Sequence, residues 1–209
     1  MLNTTKRKLN EILKTALRCP GYLKKYRNFK VSVKNFNKLP FLTKEDLIKN
    51  PLDYLSIPLE KVVFMYTSSG TSGRPKFMFL SEEDFRKTVD YFSKLSAFEG
   101  VSSKDKVLIY LPLRLWGVGL LTMYAHLKLG ATVIPFDTLS DPTTVEKIIE
   151  KEKPTVISSV PSTLLELVDD VLPYSTKIIE TTGEKLTENI RKILKEKYRG
   201  EIYDAYGLT

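Results

Sequence analysis

The fold of this chain is decided by residues 106–160, which read KVLIYLPLRLWGVGLLTMYAHLKLGATVIPFDTLSDPTTVEKIIEKEKPTVISSV. Three short apolar segments have the composition of buried strands: residues 107–111, 132–136 and 155–160. Segments of helical length separate them, and Gly130 and Pro154 mark where these predicted helices end. Strands that are joined by helices pair in parallel, and the helices cover the faces of the sheet. The stretch therefore predicts an α/β fold.

The same alternation continues to the end of the chain. Residues 177–181 and 201–205 are predicted strands, and residues 187–198 between them form a predicted helix. We therefore expect a mostly parallel sheet with flanking helices. Ligands of such sheets bind beyond the carboxyl ends of the strands, where loops converge. By composition, residues 181–185 and 206–209 are the two loops that are expected to meet a ligand.

The N-terminal part of the chain has a different character. A helix is predicted near residues 8–17, and Thr43 is a natural N-cap for a second helix. Two predicted strands, residues 62–66 and 77–80, then form a hairpin around a polar loop, and a further helix is expected after Ser81. The expected domains are a helical preamble, residues 1–60, and an α/β region, residues 61–209.

The composition is that of a folded globular protein, with 42% hydrophobic and 28% charged residues. The longest apolar stretch, residues 115–121, is far shorter than the roughly 20 residues that cross a bilayer. The polar N-terminus is not followed by the apolar segment of a secretory signal. The single cysteine, Cys19, excludes an internal disulfide and a cysteine-rich metal site. We expect a cytoplasmic protein without a membrane partner.

The formal net charge of +8 suggests an anionic partner. Clustered lysines and arginines would favour a nucleic acid, because phosphate contacts release counterions. Here the lysines are spread along the chain and mixed with glutamates, as in residues 146–153 and 192–197. This pattern indicates solvated helix faces. A nucleotide or coenzyme A is also a polyanion that suits a mildly basic surface, and we expect no nucleic-acid partner.

A loop between the two hairpin strands carries the strongest chemical signal. Hydroxyl groups and unobstructed backbone N–H groups donate to phosphate oxygens, glycine lets the backbone approach closely, and lysine adds a positive charge. The candidate residues are Thr67, Ser68, Ser69, Gly70, Thr71, Ser72, Gly73 and Lys76. Their spacing is not that of a Walker P-loop, which has four residues between its glycines and a helix after it. Composition alone is equally typical of an ordinary flexible hairpin loop.

The order of residues in this loop favours one interpretation. Residues 67–76, TSSGTSGRPK, closely resemble the signature loop of the adenylate-forming superfamily, which includes acyl-CoA synthetases, adenylation domains of peptide synthetases and luciferases. Residues 204–209, DAYGLT, resemble the adenine-site motif of the same enzymes. Two such motifs in the right order rarely occur by chance.

Three further segments support the resemblance. Residues 128–135, KLGATVIP, are similar to a helix-to-strand junction of the superfamily, and residues 182–186, TGEKL, resemble its adenine-facing glycine turn. Residues 39–47, LPFLTKEDL, resemble the N-terminal signature of the phenylacetate-CoA ligase branch. The resemblance covers nearly the whole chain but only the first half of a complete member. It implies the first part of a ligase N-terminal domain, with an AMP-binding region that is incomplete at the adenine-site motif.

The resemblance also implies a reaction. In this superfamily ATP and a carboxylic acid form an acyl-adenylate with release of pyrophosphate, and the acyl group then passes to a thiol, commonly that of coenzyme A. The matching loop would hold the β and γ phosphates, where charge develops on the leaving group. The implied catalytic residues are Lys76 in this loop and Thr209, which would bond the α phosphate.

The second motif and the glycine turn imply a site for the base. Gly183 and Glu184 would lie against adenine, Tyr206 would stack on the ring, and Asp204 would meet the exocyclic amine. The implied nucleotide-binding residues outside the phosphate loop are Gly183, Glu184, Asp204, Tyr206, Gly207 and Thr209.

Several of these residues have plain structural alternatives. Tyr206 could be a core tyrosine at a strand end, and Glu184 a solvated loop carboxylate. Trp116, with Gly117 and Gly119, lies where the superfamily places acyl-pocket residues, but a packed helix start accounts for the pattern equally well. The lone histidine, His126, is interpreted as structural.

The chain also departs from the family pattern. The motif of the superfamily continues past Thr209 with a glutamate that binds Mg²⁺, so no residue of this chain is assigned to a metal. The ribose-binding aspartate, the hinge and the mobile domain with the adenylation lysine are absent too. Weak activity of the chain alone is therefore expected. A second polypeptide that completes the ligase, or a homo-oligomer, is the expected macromolecular partner.

Three functions remain open at this point. The first is the N-terminal portion of an AMP-forming ligase that acts on a small carboxylic acid and coenzyme A. The second is a non-catalytic nucleotide-binding or interaction subunit that retains the phosphate loop. The third is a basic nucleic-acid binder that is related to the ligases only by descent. The identity of the acid is not readable from the sequence.

Overall fold

The computed structural model describes residues 2–67, 75–114, 116–167, 172 and 174–207. The chain forms two compact units, Met1–Glu83 and Asp84–Thr209. The expected division at residue 60, between a helical preamble and the α/β region, stays a prediction.

The first unit contains short helices and one hairpin. Its helices are α1 (Leu2–Ala16), α2 (Pro20–Tyr26) and α3 (Lys44–Lys49), with 3-10 segments at Val33–Lys38, Pro51–Tyr54 and Leu59–Lys61. Its strands are β1 (Val62–Thr67) and β2 (Phe77–Ser81). They pair antiparallel, as the sequence predicts for the hairpin around the polar loop.

Thr43 caps α3, as expected. Its hydroxyl accepts the backbone N–H of Asp46 at 3.2 Å, and the Asp46 carboxylate accepts the backbone N–H of Thr43 at 2.8 Å. This reciprocal pair is a capping box. Lys25 of α2 also donates to Asp46 at 2.6 Å. The hydrogen bond from Lys25, followed by those from Thr43, lowers the pKa of Asp46 to about 2.

The second unit is a five-stranded sheet with helices. Its helices are α4 (Glu82–Glu99), which begins at the boundary, α5 (Gly117–Lys128), α6 (Pro142–Glu152), α7 (Pro161–Leu167) and α8 (Glu188–Tyr198). Its strands are β3 (Lys106–Tyr110), β4 (Thr132–Phe136), β5 (Val156–Ser159), β6 (Ile178–Thr182) and β7 (Glu201–Ala205). The strand order is β4-β3-β5-β6-β7, and every neighbouring pair is parallel. The predicted α/β fold with a mostly parallel sheet is confirmed.

The three central strands, β3, β5 and β6, are largely buried on both faces of the sheet. Alternate residues of the central strands point to opposite sides, so β3 sends Leu108 to one face and Val107 and Ile109 to the other. The first face packs against α6, α7 and α8, where Ile149, Leu164 and other side chains are fully buried. Each such side chain contributes about 1.5–3 kcal/mol through its burial. Helix α5 presents Leu121 and Ala125 to the interior.

Local residues explain where the helices end. Asp141 caps α6 by accepting the backbone N–H of Thr144 at 3.0 Å, and Pro142 occupies the first turn. Gly130, which follows α5, has a φ of +78°, and this left-handed conformation is the usual helix stop. The predicted strands from residue 106 onward agree with the observed strands to within two residues. Helix α1 begins earlier than the predicted residue 8, and α2 has no counterpart in the prediction.

Candidate functional site

Two loops meet at the carboxyl ends of β6 and β7. These strands are parallel neighbours, and Thr182 pairs with Ala205 at their last residues. The following loops therefore leave the sheet at one edge and border an open groove of about 420 Å³, a volume typical of small-molecule sites. The lining residues are Gly183, Glu184, Lys185, Leu186, Asp204, Ala205, Tyr206 and Gly207. The structure thus brings together the two loops that were expected to meet a ligand.

Gly183 is the position in this groove where only glycine fits. Its φ is +81°, a conformation that side chains disfavour. A Cβ atom there would lie 2.6 Å from Cη2 of Trp116 and 3.1 Å from Cζ2 of the same ring. The indole of Trp116 therefore lies directly against the glycine turn. The family resemblance indicated Gly183 as a residue that lies against adenine, whereas no sequence pattern indicated its contact with Trp116.

Tyr206 and Gly207 form the open side of the groove. The Tyr206 side chain is 85% exposed, so the alternative of a core tyrosine at a strand end is excluded. A Cβ atom at Gly207 would meet nothing within 4 Å. This side of the groove therefore offers an aromatic face with room above it for a planar ligand.

The two carboxylates of the groove have partners within the chain. Asp204 accepts a hydrogen bond from the Thr181 hydroxyl at 2.8 Å and is otherwise exposed. Glu184 accepts the backbone N–H of Ser162 at 3.0 Å and its hydroxyl at 2.9 Å. Glu184 therefore links the glycine turn to the start of α7, which differs from the alternative of a merely solvated carboxylate. The expected contacts of Asp204 and Glu184 with adenine stay predictions.

Thr67 and Lys76 stand at the base of the phosphate loop in the first unit. Thr67 is the last residue of β1 and pairs with Phe77, the residue after Lys76. Thr67 and Lys76 are each only 6% exposed. Burial, followed by the charge of Lys44, lowers the pKa of Lys76. The other predicted phosphate-binding residues, Ser68, Ser69, Gly70, Thr71, Ser72 and Gly73, lie outside the described residues, and so does Thr209.

A small cavity of about 90 Å³ lies beside the groove, and Ala205 lines both. Helices α4 and α5 and strands β5, β6 and β7 contribute its walls. Its apolar walls are Phe92, Leu95, Val118, Tyr203 and Ala205, and its polar lining is Ser96, Glu99, Thr122, Ser158, Glu180, Thr181 and Thr182. No sequence pattern indicates this cavity.

A buried acid–base cluster forms one side of the cavity. Glu180 on β6 accepts a hydrogen bond from the Ser96 hydroxyl of α4 at 2.9 Å. The same oxygen, Oε1, lies 3.1 Å from Nε2 of His126 on α5. Nδ1 of His126 lies 2.8 Å from the carbonyl oxygen of Thr122. His126 is thus structural in the sense that it ties α5 to the sheet, as the sequence indicated. Glu180 is the charged residue of a strand that otherwise consists of isoleucines and threonines, and this charge was the signal that could have revealed the cluster.

Burial and mutual contact shift the pKa values of this cluster. Burial, followed by the charge of Glu180, raises the pKa of Glu99 to about 8. Burial alone would raise the pKa of Glu180, but hydrogen bonds from His126 and Ser96 hold it below its ordinary value. Burial alone would lower the pKa of His126, but the hydrogen bond with Glu180 raises it overall. Near neutral pH the carboxyl group of Glu99 is therefore protonated, and the contact between His126 and Glu180 favours an imidazolium beside a carboxylate.

The sequence profile of the AMP-binding enzymes matches residues 13–209 of this chain. The chain belongs to the AMP-binding enzyme family. The resemblance that the phosphate loop and the adenine-site motif suggested is therefore confirmed.

Curated relatives of this AMP-binding enzyme include phenylacetate-coenzyme A ligases. The chain is 29% identical over 184 residues to the one from Escherichia coli (strain K12), which covers 84% of this chain and 42% of that protein. It is 29% identical over 180 residues to the one from Pseudomonas putida, which covers 82% of this chain and 41% of that protein. The chain thus spans about two fifths of the length of these relatives. The similarity to the phenylacetate-CoA ligase branch is confirmed.

A solved structure shares the fold of this AMP-binding enzyme. It is an open conformation of 2-hydroxyisobutyryl-CoA ligase in complex with 2-HIB-AMP and CoA, and it matches with a TM-score of 0.86. The match covers 99% of this chain and 53% of the other, at 17% sequence identity. At this identity the likeness establishes the fold of an adenylate-forming ligase domain.

The side chains and helices of the described residues bear on metal binding and on membrane crossing. Within residues 2–67, 75–114, 116–167, 172 and 174–207, no group of three or more His, Cys, Asp or Glu side chains could hold a metal ion. In the same part of this AMP-binding enzyme, none of the helices combines the length and apolar character that a membrane crossing requires.

Proposed function

We propose that this chain is the N-terminal portion of an AMP-forming ligase that activates a carboxylic acid with ATP. The acyl group of the resulting acyl-adenylate then passes to the thiol of coenzyme A, and AMP leaves. The observation that carries the proposal is the groove beyond β6 and β7, which is lined by the glycine turn that packs against Trp116 and by the exposed Tyr206. Membership of the AMP-binding family supports a nucleotide as the ligand.

The groove binds the base of the nucleotide in this proposal. Adenine lies between the glycine turn and Tyr206, since stacking on an aromatic ring stabilises a planar base. Gly207 keeps the backbone bare where the ring approaches, and the missing side chain of Gly183 lets the Trp116 ring pack against the turn. Asp204 accepts from the exocyclic amine, and Glu184 holds the turn in position through Ser162.

The phosphate chain meets two catalytic residues. Lys76 and the hydroxyl and glycine residues from Thr67 to Gly73 donate to the β and γ phosphates as pyrophosphate leaves. Thr209 bonds the α phosphate, where the acid carboxylate attacks. In the buried environment of Lys76 a positive charge interacts more strongly with phosphate than it would in water. Mg²⁺ accompanies ATP, and its protein ligand follows Thr209 in the family pattern.

The proposal extends to partners and location. The remaining motifs of the family come from further residues of a longer polypeptide or from a second polypeptide, and a homo-oligomer is the alternative assembly. We place the protein in the cytoplasm, a location that the free, buried Cys19 supports because reducing compartments keep thiols unpaired. A small carboxylic acid and coenzyme A are the co-substrates.

Thermal unfolding of the chain with and without Mg²⁺ and ATP tests the proposal. ATP at about 100 times its dissociation constant adds about 2.7 kcal/mol to the free energy of unfolding. This should raise the unfolding midpoint by roughly 5 °C or more. Tyr206→Ala should abolish most of the rise, and because this side chain is 85% exposed the variant should fold normally.

Tyr91→Ala is the matched control, since Tyr91 is 60% exposed on α4 and does not border the groove. It should retain the full response to ATP. An unchanged response in Tyr206→Ala would contradict the assignment of the groove to adenine.

A further inference from the structure

The cavity beside the groove has a polar side whose hydrogen bonds fix its protonation. The carbonyl oxygen of Thr122 only accepts, so Nδ1 of His126 carries a proton. Nε2 of the same ring faces a carboxylate oxygen of Glu180, and this contact needs a second proton. Glu99 and Glu180 are also hydrogen-bonded to each other, which requires a third. The cluster is therefore neutral overall and contains both donors and acceptors.

This polar side faces the cavity and can bind more than it already does. Glu180 lines the cavity, and its side chain keeps 12% exposure. A carboxylate has about four lone-pair positions, and the Oε1 atom of Glu180 uses its own on Ser96 and His126. Glu99 is half-buried at the same surface. A hydroxyl group of a ligand could both donate to and accept from this pair, whereas a methyl group could do neither.

The size of the cavity limits what enters it. An apolar cavity of about 150 Å³ accommodates benzene, and this one measures about 90 Å³. By that ratio it holds about three or four non-hydrogen atoms. A phenyl ring would need the walls at Phe92, Val118 or Tyr203 to move. A short chain enters without such a change.

The position of the cavity connects it with the adenine groove. Ala205 lines both spaces, and Thr182 of the cavity immediately precedes Gly183 of the groove. In an acyl-adenylate the ribose and the α phosphate lie between the base and the acyl group. A nucleotide in the groove whose 5′ end turns towards Ala205 would therefore place its acyl group at the mouth of the cavity. This step rests on the proposed function.

We propose that the cavity receives the acyl chain of the substrate, and that this substrate is a short hydroxy acid of about three or four carbon atoms rather than an aryl acid. Glu180 is the specificity-determining residue, and His126 acts through it as a positioning residue. The size of the cavity excludes the ring, and the polar cluster favours a hydroxyl over a methyl group.

Three non-hydrolysable acyl-adenylate mimics, used on the whole 209-residue chain, test this proposal. They are sulfamoyl-adenosines that carry a 3-hydroxypropanoyl, butanoyl or phenylacetyl group on the sulfamoyl nitrogen, and sulfamoyl-adenosine without an acyl group is the reference. The first two have equal numbers of non-hydrogen atoms and differ only in hydroxyl against methyl. Calorimetry should give the hydroxy compound a dissociation constant about 10 to 100 times lower than that of the butanoyl compound. The phenylacetyl compound should bind no more tightly than the reference.

Variants separate the polar cluster from simple packing. Glu180→Gln keeps the shape of the side chain but removes its charge, and it should reduce the preference for hydroxyl over methyl to within about threefold without changing affinity for the reference. Thr122→Val, which alters another lining residue but keeps the carbonyl that His126 uses, should retain most of the preference. If Glu180→Gln does not fold, the mimics compared on the unmodified chain still decide the question.

The outcomes distinguish this proposal from the function on which it rests. Equal binding of the hydroxy and butanoyl compounds, or tightest binding of the phenylacetyl compound, would overturn the proposed acid while leaving the nucleotide site intact. Failure of all four compounds, including the reference, would overturn the nucleotide site and this proposal together.

Discussion

Gly183 and Trp116 make the groove sensitive to a single methyl group. Gly183→Ala adds a Cβ atom 2.6 Å from the Trp116 ring at a φ of +81°. The left-handed conformation alone costs about 1–2 kcal/mol for a side chain, so we expect a total loss of about 2–3 kcal/mol in the free energy of unfolding, taking the overpacking into account. Urea unfolding measures this loss.

The same substitution has a spectroscopic readout, because Trp116 is the only tryptophan of the chain. The clash should shift the ring, and its emission should change in the folded protein. Gly207→Ala is the control, since a Cβ atom there meets nothing within 4 Å. If Gly183→Ala left both stability and emission at the level of Gly207→Ala, the close contact between Gly183 and Trp116 would be wrong.

Asp105 connects the amino ends of three strands, which makes it a test of how the sheet is held together. It precedes β3 and accepts from Ser102 at 2.8 Å, from Thr155 before β5 at 2.9 Å and from Lys177 before β6 at 2.9 Å. Its side chain is 5% exposed. Asp105→Asn leaves these donors without a charged acceptor, and we expect a loss of about 2–4 kcal/mol in the free energy of unfolding.

The pH dependence of that loss follows from the pKa of Asp105. Burial alone would raise this pKa, but hydrogen bonds from Lys177, Ser102 and Thr155 hold it below its ordinary value. The stabilisation is therefore complete above the unfolded pKa of about 3.9 and is lost as the pH falls through the lower folded value. Unfolding curves from pH 7 to pH 3 should show the gap between wild type and Asp105→Asn closing at the acid end.

A surface pair provides the control for Asp105. Asp90 and Lys128 also form an ion pair, but their side chains are 38% and 48% exposed. Asp90→Asn should change the free energy of unfolding by less than about 1 kcal/mol. A loss in Asp105→Asn as small as this would mean that the buried hydrogen bonds do not stabilise the sheet.

The strands and helices of the second unit were predictable, whereas its buried cluster was not. The apolar segments, with Gly130 and Pro154 ending the helices between them, locate β3, β4 and β5 from sequence alone. This is possible because the periods of strands and helices are local properties. Ser96 and His126 are 84 and 54 residues from Glu180 along the chain. No local pattern predicts their contact, since the packing of α4 and α5 on the sheet creates it.

In the candidate site, too, some features were predictable from the sequence and others were not. The motif residues of the groove, such as Gly183 and Tyr206, were found from the sequence because their order along the chain is itself the signal. The ring of Trp116 against the glycine turn and the link from Glu184 to Ser162 depend on folded geometry. In the first unit α2 has only seven residues, Pro20–Tyr26, which is too short for a clear helical period.

At the scale of the whole molecule, the net charge and its distribution bear on whether the anionic partner is a nucleotide or a nucleic acid. The net charge is +8, but several lysines are already engaged in ion pairs, such as Lys25 with Asp46 and Lys106 with Glu152. We therefore expect only weak, sequence-independent binding of a labelled 20-nucleotide single strand. Its affinity should fall steeply between 50 and 200 mM salt, because phosphate contacts release counterions. Fluorescence anisotropy at both salt concentrations measures this.

ATP should behave differently from the oligonucleotide in the same samples. Binding of ATP in the groove relies on stacking and backbone contacts and depends less on counterion release. The ATP-induced rise in the unfolding midpoint should therefore persist in 200 mM salt. The oligonucleotide should not reduce this rise at micromolar concentration. Submicromolar binding of the oligonucleotide at 200 mM salt, with no response to ATP, would instead favour the nucleic-acid binder. The chain would then have a basic binding face even though its lysines are spread among glutamates.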